Sequence, residues 1–145
     1  LEVTESSIMR DLSRALLVLE CLRDIGVRIS IDDFGTGHSS LAQLKNMPVH
    51  ELKIDKSFFR DICNDSQNEA IVHATVGLAH NIGLSVVAEG VEDESAMRRA
   101  TQLGCEVAQG YFLSKPIPPA ELTAWLAGFE PKVYSERRNS TRAFA

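Results

Sequence analysis

Short apolar segments rich in β-branched residues alternate along this chain with longer segments of helical periodicity. This alternation is typical of repeated βα units built around a parallel sheet. It predicts about five strands and four to five helices. The predicted strands are residues 1–4, 27–31, 51–54, 84–88 and 106–108.

The predicted helices fill the intervals between these strands. The first runs from an N-cap at Ser6 or Ser7 to Gly26, with its apolar residues on one face. A short helix follows residue 40 and ends before Pro48. The remaining helices are residues 68–81, 94–103 and 118–126.

An open doubly wound sheet and an arc of a (β/α) barrel both fit this order of elements. In parallel βα proteins the C-terminal ends of all strands lie on one face, and in a barrel the catalytic groups converge there. Polar groups at the ends of successive strands therefore favour the barrel. We predict an α/β fold, a partial TIM-like (β/α) barrel of about five parallel strands with four to five helices, in which the N-terminal barrel strands are missing.

Such polar groups stand at the C-terminal end of every predicted strand, where core packing alone would select apolar residues. Asp32 and Asp33 by themselves also fit an Asp-rich turn or a helix cap, because Asp and Gly are common in turns. Successive strands that each deliver such a group to one rim indicate a functional site. The rim residues are Glu2, Glu5, Asp32, Asp33, Lys53, Asp55, Glu89, Glu92 and Gln109.

The chemistry of these residues indicates metal-assisted hydrolysis of an anionic substrate. Carboxylate oxygens suit Mg²⁺ or Mn²⁺, and no Cys or His spacing in the chain favours zinc. Several carboxylates in one mouth repel one another unless cations neutralise them. Two metal ions can stabilise an in-line displacement at phosphorus. Lys53 is then a point charge for a water molecule or a phosphate oxygen.

Composition and charge restrict the other possibilities. The 145 residues are 44% hydrophobic and 24% charged, which fits one globular domain with a core. The net charge of -5 and the lack of a Lys/Arg cluster before the tail argue against duplex nucleic acid as a partner. The apolar runs are too short to span a bilayer. The widely spaced Cys21, Cys63 and Cys105 are expected to be buried or half-buried thiols in a reducing compartment.

Five motifs follow one another along the chain: Leu1-Glu-Val-Thr-Glu5, Asp32-Asp-Phe-Gly-Thr-Gly37 with Ser39-Ser-Leu41, Leu52-Lys-Ile-Asp55 followed by Phe58, Ala88-Glu-Gly-Val-Glu92, and Gln109-Gly-Tyr111 with Pro116. In this order they strongly resemble the second half of the EAL domain, the bacterial cyclic di-GMP phosphodiesterase module. The resemblance covers residues 1–127, which we predict to be the C-terminal half of such a domain. Residues 128–145 are predicted to be a flexible polar tail.

The resemblance implies a two-metal cleavage of cyclic di-GMP to linear pGpG with Mg²⁺ or Mn²⁺. By position, Glu2, Asp32 and Glu89 resemble the metal ligands of the family, and Asp33 completes the side of the second metal. Lys53 resembles the lysine that contacts the catalytic water. Glu89 is also a candidate for the general base.

The remaining motif residues resemble supporting groups of the family. Glu5 is similar to the glutamate that holds the mobile loop, and Glu92 and Gln109 resemble residues that support the site. His38 stands where the family usually has an aromatic residue, commonly Tyr. The loop residues are Phe34, Gly35, Thr36, Gly37, His38, Ser39 and Ser40.

The Glu-x-Leu signature and the asparagine ligand of the family would precede Leu1 and are absent from this sequence. We therefore expect this chain alone to be inactive or nearly so, within a longer cytoplasmic or membrane-anchored protein that carries sensory or diguanylate-cyclase domains. The alternative is a catalytically inactive EAL-like receptor for cyclic di-GMP or a protein-interaction module. Open barrel edges predict association with a partner or dimerisation.

Overall fold

The computed structural model describes residues 1–35 and 44–130 of the chain. These residues form one sheet of five parallel strands in the order β1-β2-β3-β4-β5. Because every strand pairs with its neighbour in sequence and the order never reverses, the sheet has the progression of a barrel wall and lacks the switch point of an open doubly wound sheet. The predicted partial barrel is confirmed. The strands are Glu2–Thr4 (β1), Ser30–Phe34 (β2), Glu51–Ile54 (β3), Ser85–Glu89 (β4) and Val107–Gln109 (β5).

All but the last of the described helices lie between successive strands, and the last one follows β5. The predicted boundaries of the helix at residues 94–103 are confirmed, and Gly104 ends that helix in the left-handed conformation with φ 95°. The described helices are Glu5–Met9 (α1), Leu12–Asp24 (α2), Lys56–Phe59 (α3), Ser66–Asn81 (α4), Glu94–Leu103 (α5) and Pro119–Gly128 (α6).

The first predicted helix is in fact two helices. The Thr4 side chain caps α1 by accepting a hydrogen bond from the backbone N–H of Ser7, and Asp11 caps α2 by accepting one from Arg14. The prediction of Ser6 or Ser7 as the N-cap is therefore wrong. The short predicted helix after residue 40 lies mostly outside the described residues, although the helical Leu44 is buried.

The second strand begins later than predicted. The sequence favoured residues 27–31, whereas β2 comprises Ser30–Phe34. Asp32 and Asp33 consequently belong to the strand itself. Asp32 is paired with Thr4 of β1, whereas the register with β3 shifts between Ile31 and Phe34.

The hydrophobic core lies where the helices cover one face of the sheet. Leu52 and Ile54 are buried in this core, and Lys53 between them projects from the opposite face because side chains alternate along a strand. Helix α4 contributes the buried residues Val72 and Val76. The sheet thus packs its apolar face against helices and directs its polar side chains to the other face.

The edges of the sheet bear on the predicted association. Within the described residues, β1 and β5 each pair with a strand on one side only. Near β5, the side chains of Val107, Leu122 and Leu126 are exposed. Association through these edges stays a prediction, as does the domain boundary at residue 127, since residues 131–145 lie outside the described part of the chain.

Two further sequence expectations concern the cysteines and the membrane. Cys21 and Cys63 are exposed, so the expectation of buried or half-buried thiols is wrong for them and holds only for Cys105. Burial, followed by the nearby Glu106 carboxylate, raises the pKa of Cys105 to about 12. No helix in the described ranges is long and apolar enough to cross a bilayer.

Candidate active site

Lys53 lies at the centre of the polar face of the sheet and joins carboxylates from three other strands. Its Nζ is 3.0 Å from Glu2 Oε1 on β1, 2.9 Å from Asp32 Oδ1 on β2 and 2.7 Å from Glu89 Oε1 on β4. The Lys53 side chain is only 4% exposed. The register aligns Glu2 with Ser30 and Glu51 at the starts of their strands, whereas Asp32, Lys53 and Glu89 lie farther along theirs. The predicted position of Glu2 at a strand end is therefore wrong, although its side chain reaches Lys53.

Two opposing effects act on the Lys53 ammonium. Burial lowers its pKa, but hydrogen bonds to Glu89, Asp32 and Glu2 together raise the pKa well above the ordinary lysine value. Lys53 is therefore protonated throughout the neutral range and cannot accept a proton from water. Its chemical role in this arrangement is that of a fixed positive charge and hydrogen-bond donor.

Glu89 ends β4 with its side chain 14% exposed. Burial raises its pKa, Lys53 opposes this shift, and the negative charges of Asp32 and Asp33 add to it. A carboxylate whose pKa is raised is a better proton acceptor than an ordinary one. Within this cluster, Glu89 is the group best suited to general base chemistry.

Asp33 has a backbone conformation that strands normally exclude. Its φ is 56°, and the register between β2 and β3 shifts between Ile31 and Phe34. A regular strand would point Asp32 and Asp33 to opposite faces. In this irregular strand the two side chains instead share one site, because one carboxylate oxygen from each of Asp32, Asp33 and Glu89 lies within 4.8 Å of the others.

The left-handed conformation at position 33 yields a prediction about stability. Glycine adopts positive φ freely, whereas alanine pays about 1 kcal/mol for it. Asp33→Gly and Asp33→Ala lose the same carboxylate, so Asp33→Gly should be the more stable variant by about 1 kcal/mol. Urea unfolding of the two variants measures this difference. Equal stabilities would show that φ at this position is not positive in solution.

Glu5 lies beside the start of the loop that follows β2. Although charged, it is 3% exposed, and its Oε2 accepts a hydrogen bond of 3.3 Å from the backbone N–H of Gly35. This contact agrees with the predicted anchoring of the loop by Glu5. Phe34, however, is a buried residue of β2, so the predicted loop begins one residue later, at Gly35. The other predicted loop residues, Thr36, Gly37, His38, Ser39 and Ser40, lie outside the described part of the chain.

The segment after β4 passes close to two other parts of the backbone. Gly90 has φ 67°, and a Cβ on it would overlap the Lys56 side chain and lie 3.2 Å from Lys56 Cα. A Cβ on Gly110 would overlap the backbone of Val91 and lie 2.6 Å from its carbonyl carbon. Val91 N–H also donates to Gln109 O over 3.1 Å. The segment that carries Glu89 and Glu92 is therefore closely packed on both sides.

An open pocket of about 430 Å³ covers this end of the sheet. Glu92 and Gln109, which were predicted as supporting residues, line the pocket and do not join the carboxylate cluster. Asp55 was recognised at a strand end, but Lys56 was missed, although it follows β3 directly. The lining residues are Glu2, Asp32, Asp33, Lys53, Asp55, Lys56, Glu89, Gly90, Glu92, Gln109, Gly110 and Tyr111.

The donor atoms at this site fit a hard divalent cation. Asp32, Asp33 and Glu89 offer carboxylate oxygens within 4.8 Å of one another. Oxygen ligands of this kind suit Mg²⁺, Mn²⁺ or Ca²⁺. Glu2, the other predicted ligand, is 57% exposed and pairs with Lys53. The cluster thus has the charge and the atom types for a divalent metal site, with Glu2 beside it.

Comparison with known proteins bears directly on this site. The sequence model of the EAL domain matches residues 1–116. This chain belongs to the EAL domain family. We call Lys53 and its three partners Glu2, Asp32 and Glu89 the Lys53 cluster. The matched range includes this cluster and Asp33.

Relatives of this EAL chain include proteins with named activities. "Bifunctional diguanylate cyclase/cyclic di-GMP phosphodiesterase MucR" of Pseudomonas aeruginosa is 50% identical over 127 residues, which are 88% of this chain and 18% of MucR. A solved MucR phosphodiesterase complex with c-di-GMP has a TM-score of 0.80 and 50% identity, over 83% of this chain and 49% of that one. The manganese/cy-diGMP complex of Klebsiella pneumoniae BlrP1 has a TM-score of 0.74 and 35% identity, over 79% of this chain and 29% of that one. This chain therefore spans about half of the solved MucR structure and under a fifth of the full MucR sequence.

Proposed function

We propose that this EAL chain supplies the C-terminal half of an active site that hydrolyses cyclic di-GMP to linear pGpG. The observation that carries the proposal is that Asp32 and Glu89 both pair with Lys53 and, together with Asp33, place carboxylate oxygens within 4.8 Å of one another. These groups lie at the C-terminal ends of parallel strands, where barrel enzymes hold their catalytic residues. The named activity and the c-di-GMP complex of the MucR relatives support the choice of substrate.

Mg²⁺ or Mn²⁺ is the proposed cofactor, held by Asp32, Asp33 and Glu89 with Glu2 beside them. Such ions, when bound, neutralise charge on the reacting phosphate and lower the pKa of water. The manganese complex of BlrP1, an EAL relative by structure, supports this choice. Further ligands, including the Glu-x-Leu glutamate and an asparagine, would come from the other half of the domain.

The residues of this chain take separate parts in the proposed reaction. A water oxygen attacks phosphorus, the bond from phosphorus to the ribose 3′ oxygen breaks, and the product keeps the phosphate on its 5′ end. Glu89 accepts the proton of the water, because burial raises its pKa. Lys53 holds Glu2, Asp32 and Glu89 in place and offsets negative charge, and its raised pKa prevents it from acting as the base. The 3′ oxygen leaves with a proton from solvent.

The test is an assay of the longer protein with cyclic di-GMP and Mg²⁺ or Mn²⁺. Glu89→Ala should lower turnover by at least about a hundredfold, because it removes both a ligand and the proton acceptor. Glu94→Ala is the matched control, since Glu94 is an exposed carboxylate on α5 that pairs with Arg98. It should leave turnover unchanged.

Two outcomes would contradict the proposal. Equal turnover by Glu89→Ala and wild type would refute the site. Binding of cyclic di-GMP without any hydrolysis by the wild-type protein would show a receptor instead of an enzyme. This chain on its own should show little or no turnover in the same assay, because the other half of the domain is required.

A further inference from the structure

We propose that Lys56 binds a phosphate oxygen of the dinucleotide, at the outer wall of the pocket. This inference rests on the proposed function, because it assigns a residue to recognition of that substrate. It concerns a lysine that belongs neither to the carboxylate cluster nor to the Lys53 ion pairs.

Among the described residues that line the pocket, one cationic side chain besides Lys53 is available to a phosphate. Cyclic di-GMP carries two phosphodiester groups, each with a negative charge. Lys53 is nearly fully buried and holds three carboxylates, so its hydrogen-bonding capacity is already used. Apart from Lys53, the only lysine or arginine among the described lining residues is Lys56. The acidic residues of the lining are Glu2, Asp32, Asp33, Asp55, Glu89 and Glu92.

The position of Lys56 suits it for contact with a ligand. It is the first residue of α3, it is exposed, and it makes no ion pair within the described residues. The neighbouring Asp55 carboxylate is engaged by the backbone N–H of Ser57 at 2.9 Å. The Lys56 charge also contributes to lowering the pKa of Asp55, but Lys56 holds no carboxylate in an ion pair among the described residues, so its ammonium can reach an anion that enters the pocket.

Gly90 determines where the stem of Lys56 lies. A Cβ on Gly90 would overlap Lys56 Cβ and would lie 3.6 Å from Lys56 Cγ, so the lysine stem rests directly on the glycine backbone. Gly90 follows Glu89, which ends β4. The first carbons of Lys56 are thereby held against the residue that follows Glu89, while Lys56 as a whole is exposed at the pocket.

The experiment compares kinetic constants of the longer protein and its variants at low ionic strength. Lys56→Gln should raise the KM for cyclic di-GMP about tenfold and change kcat less than about twofold, because the contact is present in both ground and transition states. Lys56→Arg should keep the KM within about threefold, because it retains the charge. Arg60→Gln, which removes an exposed charge four residues away at the C-cap of α3, should leave the KM unchanged.

Salt separates an electrostatic contact from a packing effect. At about 0.5 M NaCl the difference in KM between wild type and Lys56→Gln should shrink, because screening weakens exposed charge interactions. An unchanged KM in Lys56→Gln, or a difference that salt does not reduce, would overturn the assignment of Lys56. Absence of hydrolysis by the wild-type protein would instead refute the proposed function.

Discussion

Lys53→Met should lower the free energy of unfolding by about 2 kcal/mol and reduce turnover of the longer protein by about a thousandfold. Methionine keeps the length of the stem but removes the charge that joins Glu2, Asp32 and Glu89. Loss of one partner from a buried ion pair commonly costs about 3–5 kcal/mol. A smaller value is expected here because the Asp32 and Glu2 side chains are 24% and 57% exposed, so water can partly replace the ammonium.

Urea unfolding in a metal chelator measures the change in stability, and the cyclic di-GMP assay measures the change in turnover. Lys45→Met is the control, because Lys45 is exposed and lies outside the pocket. It should alter stability by less than about 0.5 kcal/mol. If Lys53→Met were as stable as the control, the three carboxylates would not depend on Lys53 for their charge balance.

Among the glycines that the structure describes, Gly110→Ala should be the most damaging substitution and should cost about 3 kcal/mol or more. The added Cβ would overlap the backbone N and O of Val91 and would lie 2.6 Å from its carbonyl carbon. Unlike a flexible side chain, these backbone atoms cannot avoid the added Cβ by a change of rotamer. The strand segment at Gln109 or the segment at Val91 must therefore move, and Glu89 and Glu92 lie on that second segment.

Gly77→Ala provides the matched control. Gly77 lies within α4, and a Cβ there would meet nothing within 4 Å. Because alanine favours a helix interior by about 1 kcal/mol over glycine, Gly77→Ala should be slightly stabilising. Thermal unfolding of both variants shows the contrast, and turnover should fall only in Gly110→Ala. Similar stabilities for the two variants would contradict the close approach of Gly110 to Val91.

The sequence predicted four of the five strands to within one residue at each end. Residues 51–54 have the predicted bounds, whereas β2 begins and ends three residues later than predicted. The error at β2 arose because aspartate is rare inside strands, so Asp32 and Asp33 were taken to follow the strand. In the structure both aspartates belong to β2. Lys53 offsets the charge of Asp32, and Asp33 departs from the regular strand conformation.

The helices show a similar limit. Apolar periodicity continues from Ile8 to Leu22, and this concealed the break before Asp11 at which α2 begins. Helix α3 has only four residues, which is too short for any periodic signal. Its only sequence mark is Asp55, a residue that both turns and N-caps use.

The candidate site was predictable in its members but not in its contacts. Carboxylates near the C-terminal ends of successive parallel strands must share one end of the sheet, so Asp32 and Glu89 could be grouped from the sequence alone. Glu2 begins β1, and only its side chain brings it to Lys53. That Lys53 pairs with all three depends on strand register, which the sequence does not specify. The contact of Lys56 with Gly90 depends on a close approach of two backbone segments. A glycine in the sequence does not by itself predict such an approach.

The neighbour-to-neighbour order of the strands also has a consequence for folding kinetics. Each pairing joins segments that are close in sequence, so the sheet can grow by one βα unit at a time. The Lys53 cluster is different, because it takes groups from β1, β2 and β4 and is complete only after four strands have docked. Contacts that form this late act mainly on the unfolding rate. The same ammonium that serves the site would therefore also slow the opening of the sheet that carries it.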